Sequence, residues 1–358
     1  MVDLVVAIPG DLATPTGGYA YARRVLALLP GEGISPRILT LPASFPAPNA
    51  ADLDETVRLF AALPPGVPLL VDGLAYGTLP PATIAAAGDR PVLALVHHPL
   101  GLEEGLSETA SRTLIDSERT ALALATGVIV TSPYTGRLLV ERFGVSSDSI
   151  HVAVPGTEAV VDKGGGDPLR STSAIAILVI GAVTPRKGYD VLIRALAGLT
   201  DMQWHATIVG ALDRATEHVE ALRLLVRASG LDGRVVLAGS VSDDELDAHY
   251  RRADIVVSSS LFEGYGMALA ESLVRGLPIV MARGGAADET VPDEAALKVA
   301  PGDPLALAEA LRAVLGDRAL RERLASGSGK AGRRLPRWKD TARIIADAVK
   351  AAVQENRT

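Results

Sequence analysis

Two carboxylates and two cations in the second half of the chain have types and spacing suited to chemistry. Glu263 precedes a Gly-Tyr-Gly turn, and Glu271 follows eight positions later inside an apolar run. An ionised carboxylate accepts hydrogen bonds from hydroxyl groups, such as those of a sugar or a ribose. Arg186 and Lys187 can bind phosphate oxygens as a guanidinium fork and a point charge. Taken singly, each motif is also compatible with a solvated helix start or loop, whereas together they favour a ligand with hydroxyl groups and a diphosphate.

The sequence around both motifs predicts a strand, a turn and a helix. Residues 254–260 are typical of a strand, and a helix is predicted from Met267 to Arg275, ended by Gly276 and Pro278. The basic pair also lies between a predicted strand and a predicted helix. A helix N-terminus presents unpaired N–H groups and a partial positive charge, which suit a phosphate. The carboxylates and cations are therefore expected to line one crevice.

Apolar runs typical of buried parallel strands alternate along the chain with segments of helical spacing. The predicted strands are 4–9, 68–73, 91–98, 127–132, 150–156, 174–181, 204–210, 234–239, 254–260 and 278–282. The predicted helices are 17–29, 53–63, 107–125, 188–199, 216–230, 267–275 and 338–354.

This alternation predicts an α/β protein with two doubly wound domains that face one another across a ligand crevice. The glycine-rich residues 162–173 read as a linker between the domains. We expect an N-terminal domain over 1–165 and a C-terminal domain over 166–337. A last helix, within 338–358, is expected to pack back toward the first domain.

Composition narrows the class of protein and its partners. The chain has 358 residues, a net charge of −7 and no cysteine, so disulfides and thiolate metal sites are excluded, and a reducing cytoplasm fits best. The first 172 residues hold 11 basic and 18 acidic side chains, which argues against a nucleic-acid partner and for at most weak membrane association. The N-terminal apolar run is a predicted strand and not a signal peptide, and no run is long enough for a transmembrane segment.

Several patterns that would indicate other chemistry are absent or have a simpler explanation. The chain lacks both the P-loop sequence of nucleotide kinases and the Gly-x-Gly-x-x-Gly fingerprint of dehydrogenases. Asp52 and Asp54 form an Asp-x-Asp pair, but they open a predicted helix, where aspartate serves as a cap or first-turn charge. His205 and His218 stand alone, without metal-ligand spacing. We therefore expect no metal site and no required cofactor.

Three segments, "GAVTPRKGYDVLIRAL", "LFEGYGMALAESLVRGLPIV" and "GDPLALAEALRAVLGD", resemble the retaining GT-B glycosyltransferases of glycosyltransferase family 4, also called glycosyl transferases group 1. The resemblance covers nearly the whole chain and is strongest over residues 174–345. It implies two facing Rossmann-like domains with an interdomain cleft, of which the N-terminal domain (1–165) lies on the acceptor side and the C-terminal domain (166–337) binds the nucleotide sugar. It also implies transfer of a sugar, with retained configuration and without a metal, from a UDP- or GDP-linked donor to an acceptor hydroxyl.

The resemblance also implies roles for individual residues. Arg186 and Lys187 would bind the donor diphosphate, Glu271 would accept both ribose hydroxyls, and Glu263 would face the transferred sugar. The expected catalytic set consists of Arg186, Lys187, Glu263 and His97. The other expected donor-binding residues are Gly264, Tyr265, Gly266 and Met267 beside the sugar, Gly239, Ser240 and Val241 beside the base, and Gly17 and Gly18 beside the phosphate.

The assignments in the first domain have structural alternatives. Gly17 and Gly18 mark a helix start. A purely structural role, as the break between a strand and a helix, explains these two glycines nearly as well. His97 and His98 follow a predicted strand at the place where the family often has a histidine near the reacting centre. His97 is favoured, with His98 as an acceptor-side candidate, and a buried hydrogen-bonded structural histidine is the competing interpretation for either.

Three other functions remain open on the same architecture. A sugar phosphorylase or a nucleotide-sugar epimerase would use the same crevice, and a non-catalytic nucleotide-sugar binding protein would keep it without turnover. An epimerase is distinguished by an altered nucleotide sugar formed without acceptor. The sequence favours neither uridine nor guanosine donors and leaves the acceptor and the oligomeric state unassigned.

Overall fold

The structure, a computed structural model, describes residues 1–103, 105–158 and 174–356. The chain divides into two compact units, one formed by Met1–Gly156 together with Pro336–Thr358 and the other by Thr157–Leu335. The predicted linker at 162–173 and the predicted boundary at 165/166 lie outside the described residues. The strands of the two units are β1 (Val2–Pro9), β2 (Ile34–Leu41), β3 (Leu69–Asp72), β4 (Val92–Val96), β5 (Gly127–Val130), β6 (Ile150–Val152), β7 (Ile175–Ile180), β8 (Trp204–Val209), β9 (Val235–Gly239), β10 (Ile255–Ser258), β11 (Ile279–Ala282) and β12 (Ala296–Val299).

Helices follow most of these strands. They are α1 (Gly17–Leu28), α2 (Ala50–Ala61), α3 (Gly73–Tyr76), α4 (Pro81–Ala85), α5 (Glu108–Leu122), α6 (Pro133–Phe143), α7 (Tyr189–Ala197), α8 (Thr216–Ala228), α9 (Asp243–Arg252), α10 (Met267–Val274), α11 (Ala287–Thr290), α12 (Pro304–Gly316), α13 (Arg318–Gly332) and α14 (Trp338–Glu355). Within the described ranges, no helix is both long and apolar enough to cross a membrane.

The first unit is a doubly wound parallel sheet in the order β2-β1-β3-β4-β5-β6. Its central strands β3, β4 and β5 are buried along their whole length because helices cover both faces of the sheet. The chain runs from β1 to β2 on one side and from β3 onward on the other, so the order reverses between β1 and β3. Ligands of such sheets bind outside the carboxyl ends of the strands at this reversal.

The last helix of the chain belongs to the first unit. Helix α14 packs against α1, β5 and β6. The hydroxyl of Thr341 on α14 donates to the carbonyl oxygen of Val154 at 2.7 Å. A Cβ atom on Gly156 would lie 2.1 Å from the backbone nitrogen of Trp338, so only glycine allows the helix to begin this close to the end of the first chain segment.

The second unit is a doubly wound parallel sheet in the order β12-β11-β10-β7-β8-β9. The chain runs outward from β7 to β9 on one side and from β10 to β12 on the other, so the order reverses between β7 and β10. These two strands pair directly, with Ile255 opposite Ile177 and Val256 opposite Leu178. The loops that leave their carboxyl ends are therefore neighbours, although they are distant in sequence.

A buried carboxyl group in the first unit supports the loop that follows β4. Glu118 on α5 is 1% exposed, and its Oε2 accepts the N–H of Leu100 at 2.9 Å. Burial raises the pKa of Glu118 to about 8, although the backbone N–H groups of Leu100 and Gly101 act to lower it. The carboxyl group is therefore largely protonated at neutral pH in the folded protein.

This shift predicts a pH-dependent stability for the first unit. The folded-state pKa of Glu118 lies above the unfolded value of about 4.5, so its stabilisation is complete below pH 4.5 and is lost as the pH rises through about 8. Between pH 5 and 9 we expect the thermal midpoint of the wild type to fall relative to that of Glu118→Gln by on the order of 5 °C. Thermal unfolding followed by circular dichroism measures the difference. The exposed Glu141→Gln on α6 is the control, and identical pH profiles for Glu118→Gln and the wild type would contradict the prediction.

Candidate active site

Two loops at the reversal of the second sheet carry the predicted basic pair and the first predicted glutamate. Strand β7 leads into the single 3-10 turn Pro185–Lys187, and Gly188 then caps α7. Strand β10 ends at Ser258 and is followed by the loop that carries Ser259, Ser260 and Glu263, after which Gly266 caps α10. Because β7 and β10 are adjacent, the topology places Arg186 and Lys187 beside Glu263.

The backbones of these two loops are bonded to each other. The N–H of Leu261 donates to the carbonyl oxygen of Arg186 at 2.8 Å, and the hydroxyl of Ser259 donates to that of Lys187 at 2.9 Å. Gly188 has φ +59°, and a Cβ atom there would lie 2.4 Å from the carbonyl oxygen of Ser259. The loops thus approach at a distance that only glycine permits, and both cations stand on a fixed backbone.

The carboxylate of Glu263 lies between the two cations. Its Oε1 is 2.5 Å from Nζ of Lys187, and its Oε2 is 3.5 Å from Nη1 of Arg186. The hydroxyl of Ser260 donates to the same Oε1 at 2.7 Å, and Nη1 of Arg186 also donates to the carbonyl oxygen of Phe262 at 2.6 Å. The three charged side chains are 14–24% exposed, so water screens their interactions only partly.

This arrangement keeps Glu263 ionised. Burial acts to raise the pKa of Glu263, but Lys187, Arg186 and the Ser260 hydrogen bond together hold that pKa below its ordinary value. The three side chains carry a net charge of +1, since two cations share one carboxylate. The cluster can thus accept hydroxyl hydrogen bonds at Glu263 and still attract an anion.

The backbone of Glu263 is also held on its far side. Its N–H donates to the carbonyl oxygen of Gly284 at 3.1 Å, and its own carbonyl oxygen accepts the N–H of Ala286 at 2.9 Å. Gly285, between these two residues, has φ +63° and forms an isolated parallel bridge with Glu263. The carboxylate is therefore oriented by contacts on both of its neighbouring loops.

A glycine before the basic pair leaves room for the lysine. Gly181 follows β7, and a Cβ atom on it would lie 2.8 Å from Cε and 3.1 Å from Nζ of Lys187. The carbonyl oxygen of Gly181 accepts the hydroxyl of the buried Tyr189 at 2.8 Å. The ammonium group therefore lies over bare backbone, where a bulkier residue would displace it.

The second glutamate has different partners. Glu271 lies on α10, which the sequence predicted as a helix and the structure shows from Met267 to Val274. Its Oε2 accepts the hydroxyl of Tyr250 at 2.9 Å. Glu271 thus stands about one helical turn beyond the helix start, on the element that directly follows the loop of Glu263.

The other predicted donor-binding residues of the second unit lie around the helix start and at the edge strand. Gly264, Tyr265, Gly266 and Met267 form the turn into α10, where Gly266 has φ +91° and Tyr265 is buried. Gly239 ends β9 with φ +75°, and Ser240 and Val241 connect it to α9. β9 lies two strands away from β7, so these three residues stand apart from the charged cluster in the sheet.

The structure brings Gly18 and His97 together within the first unit. Gly17 and Gly18 begin α1, and a Cβ atom on Gly18 would lie 3.3 Å from Cδ2 of His97. His97 follows β4, and its ring meets the ring of Tyr21 edge to face at 5.2 Å between centroids. The Nε2 atom of His98 lies 3.6 Å from Oε2 of Glu103. The two neighbouring histidines therefore have separate surroundings.

A carboxylate that the sequence analysis missed lies beside His97. Asp72 ends β3, the strand next to β4, and is 3% exposed. Its Oδ2 is 3.9 Å from Nε2 of His97, and Nε2 makes no hydrogen bond with any described residue. Burial lowers the pKa of His97, and the Asp72 carboxylate partly offsets this effect. An aspartate that closes a buried strand, as in "PLLVDG", was the signal available in the sequence.

The Asp-x-Asp pair has a structural role at a helix start, as the sequence analysis expected. Asp52 accepts the N–H of Asn49 at 2.9 Å and forms a capping box with it, so the cap of α2 is Asn49 and Asp52 is the first-turn charge. Across residues 1–103, 105–158 and 174–356, no three His, Cys, Asp or Glu side chains are grouped as a metal site would require.

The sequence of the second unit matches a known family. Residues 167–330 match the family model described as Glycosyl transferases group 1. The match covers 164 of the 358 residues of the chain. The matched residues include both loops of the charged cluster and Glu271, so the match agrees with the predicted resemblance over this part of the chain.

Similar proteins extend the likeness beyond these residues. The D-inositol 3-phosphate glycosyltransferase of Xylanimonas cellulosilytica is 31% identical over 250 residues, which are 66% of this chain and span 60% of that relative's length. The relative is thus matched over less than two thirds of its own length.

Two solved structures share the fold along the whole chain. The sucrose-phosphate synthase of Thermosynechococcus elongatus has a TM-score of 0.82 at 21% identity. The superposition covers 98% of this chain and 99% of the synthase chain. The Anabaena HepE protein, solved in complex with UDP and glucose, has a TM-score of 0.77 at 20% identity and covers 98% of this chain and 100% of its own. At these identities the likeness concerns the fold alone. The predicted GT-B fold, with two Rossmann-like domains, is confirmed.

The charge cluster predicts a non-additive effect on stability. Lys187→Met leaves the Glu263 carboxylate with Arg186 as its remaining cation, and should lower the free energy of unfolding by about 2–4 kcal/mol. Adding Glu263→Gln removes that poorly compensated charge and should recover at least half of the loss. Urea unfolding in a Trp338→Phe background measures both, because Trp204 is then the single tryptophan of the chain and reports the second unit.

An exposed ion pair of the same unit provides the control for this comparison of single and double variants. Arg194 and Asp190 on α7 lie 3.8 Å apart, and their side chains are 60% and 42% exposed. Arg194→Met should change the free energy of unfolding by less than about 0.5 kcal/mol. Additive effects of Lys187→Met and Glu263→Gln would contradict the proposed coupling.

The surroundings of His97 predict its titration. Its pKa should lie below the ordinary value of about 6.5 because burial disfavours the imidazolium. Asp72→Asn should lower that pKa further, since the carboxylate favours the charged ring. NMR titration of ring-labelled histidines measures both, with His97→Gln to assign the signal. Glu103→Gln, beside His98, should leave the His97 midpoint unchanged, and a higher midpoint in Asp72→Asn would refute the pairing.

Proposed function

We propose that this protein is a retaining glycosyltransferase that moves a sugar from a nucleoside-diphosphate sugar to an acceptor hydroxyl. The observation that carries the proposal is the cluster of Arg186, Lys187 and Glu263 at the carboxyl ends of β7 and β10. This position is where doubly wound sheets bind ligands, and the cluster offers cations for phosphate and an ionised acceptor for hydroxyl groups. The group 1 family match over residues 167–330 supports the same function.

In this proposal the cations perform the main electrostatic work. Transfer of the sugar breaks its bond to the diphosphate, and negative charge grows on the departing oxygens. Arg186 and Lys187 stand on a fixed backbone, so they stabilise that charge without rearranging during the reaction. The two cations supply the positive charge that a metal supplies in other transferases, and the proposed reaction therefore needs no metal.

The carboxylates orient the donor. Glu263 is ionised and accepts hydrogen bonds from hydroxyl groups of the transferred sugar, while Glu271 accepts those of the ribose. The N-terminus of α10 presents the amides of Gly266 and Met267 to the same ligand. In the first unit, His97 is proposed as a catalytic residue, Gly17 and Gly18 as donor contacts and His98 as an acceptor-side residue, because these roles follow from the family resemblance.

Ligand binding provides the first test. A panel of uridine and guanosine, their diphosphates and their diphosphate sugars is screened by thermal shift, where a ligand at about 100 times its dissociation constant adds roughly 2.7 kcal/mol of stability. We expect nucleoside diphosphates and nucleotide sugars to raise the thermal midpoint more than nucleosides do. Binding of none of these ligands would overturn the proposal.

Two substitutions separate the parts of the donor site. Arg186→Ala should weaken diphosphates by about 10-fold or more and leave nucleosides nearly unaffected, since a charge-assisted hydrogen bond contributes about 1.5–3 kcal/mol. Glu271→Ala should abolish the shift for ribose-bearing ligands. The exposed Arg194→Ala and Glu309→Ala are matched controls in the same unit. Equal losses for nucleosides and diphosphates in Arg186→Ala would contradict the assigned role.

Turnover distinguishes the proposed transferase from its alternatives. The donor selected by the panel is incubated with D-inositol 3-phosphate, the acceptor in the relative's name, and with simple sugars, with and without EDTA. A glycoside with the donor's anomeric configuration, formed in EDTA, supports the proposal. An altered nucleotide sugar formed from donor alone indicates an epimerase, and phosphate-dependent cleavage of a glycoside indicates a phosphorylase. Tight binding without any product indicates a binding protein.

A further inference from the structure

A buried tyrosine of α9 reaches across to the glutamate of α10. Tyr250 is 1% exposed, and its hydroxyl donates to Oε2 of Glu271 at 2.9 Å. The same hydroxyl lies 3.1 Å from the carbonyl oxygen of Ala268, which is one helical turn before Glu271 on α10. Tyr250 therefore contacts both the helix backbone and the carboxylate that the helix carries.

The tyrosine ring is itself held in place. The guanidinium of Arg275 lies 4.1 Å above the ring centre, and it donates to Oδ1 of Asp247 on the tyrosine's own helix at 3.2 Å. Nη1 of Arg275 also donates to the backbone carbonyl oxygen of Glu271 at 3.2 Å. The ring packs in the apolar cluster that contains Leu269 and Leu273. A change in the ring position would break contacts on both helices.

The hydroxyl of Tyr250 is protonated at neutral pH and can donate a hydrogen bond. Burial, followed by the negative charge of Glu271, raises the pKa of Tyr250 well above its ordinary value. A glutamate side chain loses rotational freedom when it binds a ligand, and this loss weakens binding. A donor fixed by the fold orders the carboxylate before the ligand arrives.

We propose that Tyr250 is a positioning residue that orients the Glu271 carboxylate for the ribose hydroxyls of the nucleotide. This inference rests on the proposed function, in which Glu271 accepts those hydroxyls. Tyr250 itself is buried on α9 and acts through the carboxylate. The preference for ribose over a deoxygenated sugar thus depends on two helices. The phenol that orients the carboxylate lies on α9, and the carboxylate that accepts the ribose hydroxyls lies on α10.

The test compares two ligands that differ only at the ribose. Dissociation constants of UDP and 2′,3′-dideoxy-UDP, or of the guanosine pair if the panel selects guanosine, are measured by calorimetry for the wild type and Tyr250→Phe. We expect the wild type to prefer UDP by about 10-fold or more and Tyr250→Phe to lose most of that preference. The affinity for the dideoxy ligand should change less than about 2-fold.

A matched control and a second substitution distinguish positioning from general damage. Tyr189→Phe also removes the hydroxyl of a buried tyrosine in this unit, but that hydroxyl donates to Gly181, so the ribose preference should persist. In a Glu271→Gln background, Tyr250→Phe should have no further effect on UDP affinity. Equal losses for both ligands in Tyr250→Phe, with the preference retained, would overturn the positioning role.

Two further outcomes keep the inference separate from the proposed function. A wild type without ribose preference would refute the role of Glu271 itself, whatever Tyr250 does. If Tyr250→Phe does not fold, Arg275→Met is measured in its place, because it uncovers the tyrosine ring and leaves the phenol intact. That substitution should reduce the ribose preference by about 3-fold, and an unchanged preference would overturn the inference.

Discussion

The ion pair between Lys187 and Glu263, with Arg186 beside it, is the interaction on which the proposed chemistry depends. Charges taken out of water need partners, and here two cations and one carboxylate satisfy each other in a partly buried cluster. The cluster exists because β7 and β10 are neighbours and because glycines allow their loops to touch. The order of the strands thus determines which loops meet, and the meeting of these loops determines which charges lie together.

Hydrogen bonds to supporting residues extend from this cluster along the following helix. The hydroxyl of Ser260, shortly after β10, donates to the carboxylate of Glu263. The hydroxyl of Tyr250, on α9, donates to the carboxylate of Glu271. Both carboxylates are therefore ordered by the fold. A binding site built in this way gives up little conformational freedom when a ligand arrives.

The sequence predicted the parts of this site that depend on local pattern. Alternating apolar runs and helical spacing indicated two doubly wound sheets, and the motifs marked Arg186, Lys187, Glu263 and Glu271. Edge strand β2 was missed because it contains Pro36 and is partly exposed, so its apolar alternation is weak. Asp72 and Tyr250 were missed because their partners lie on other elements, and the contact of Tyr250 with Glu271 joins residues 21 positions apart. Local periodicity carries no signal for such contacts.

The return of α14 to the first unit has a consequence for the order of folding on the ribosome. The first unit is discontinuous, since its sheet is complete by β6 but the helix that packs on α1, β5 and β6 is made after the second unit. All elements of the second unit emerge before α14 does. The second unit can therefore reach its final packing during synthesis, while the first waits with an uncovered apolar face until translation of α14 is finished.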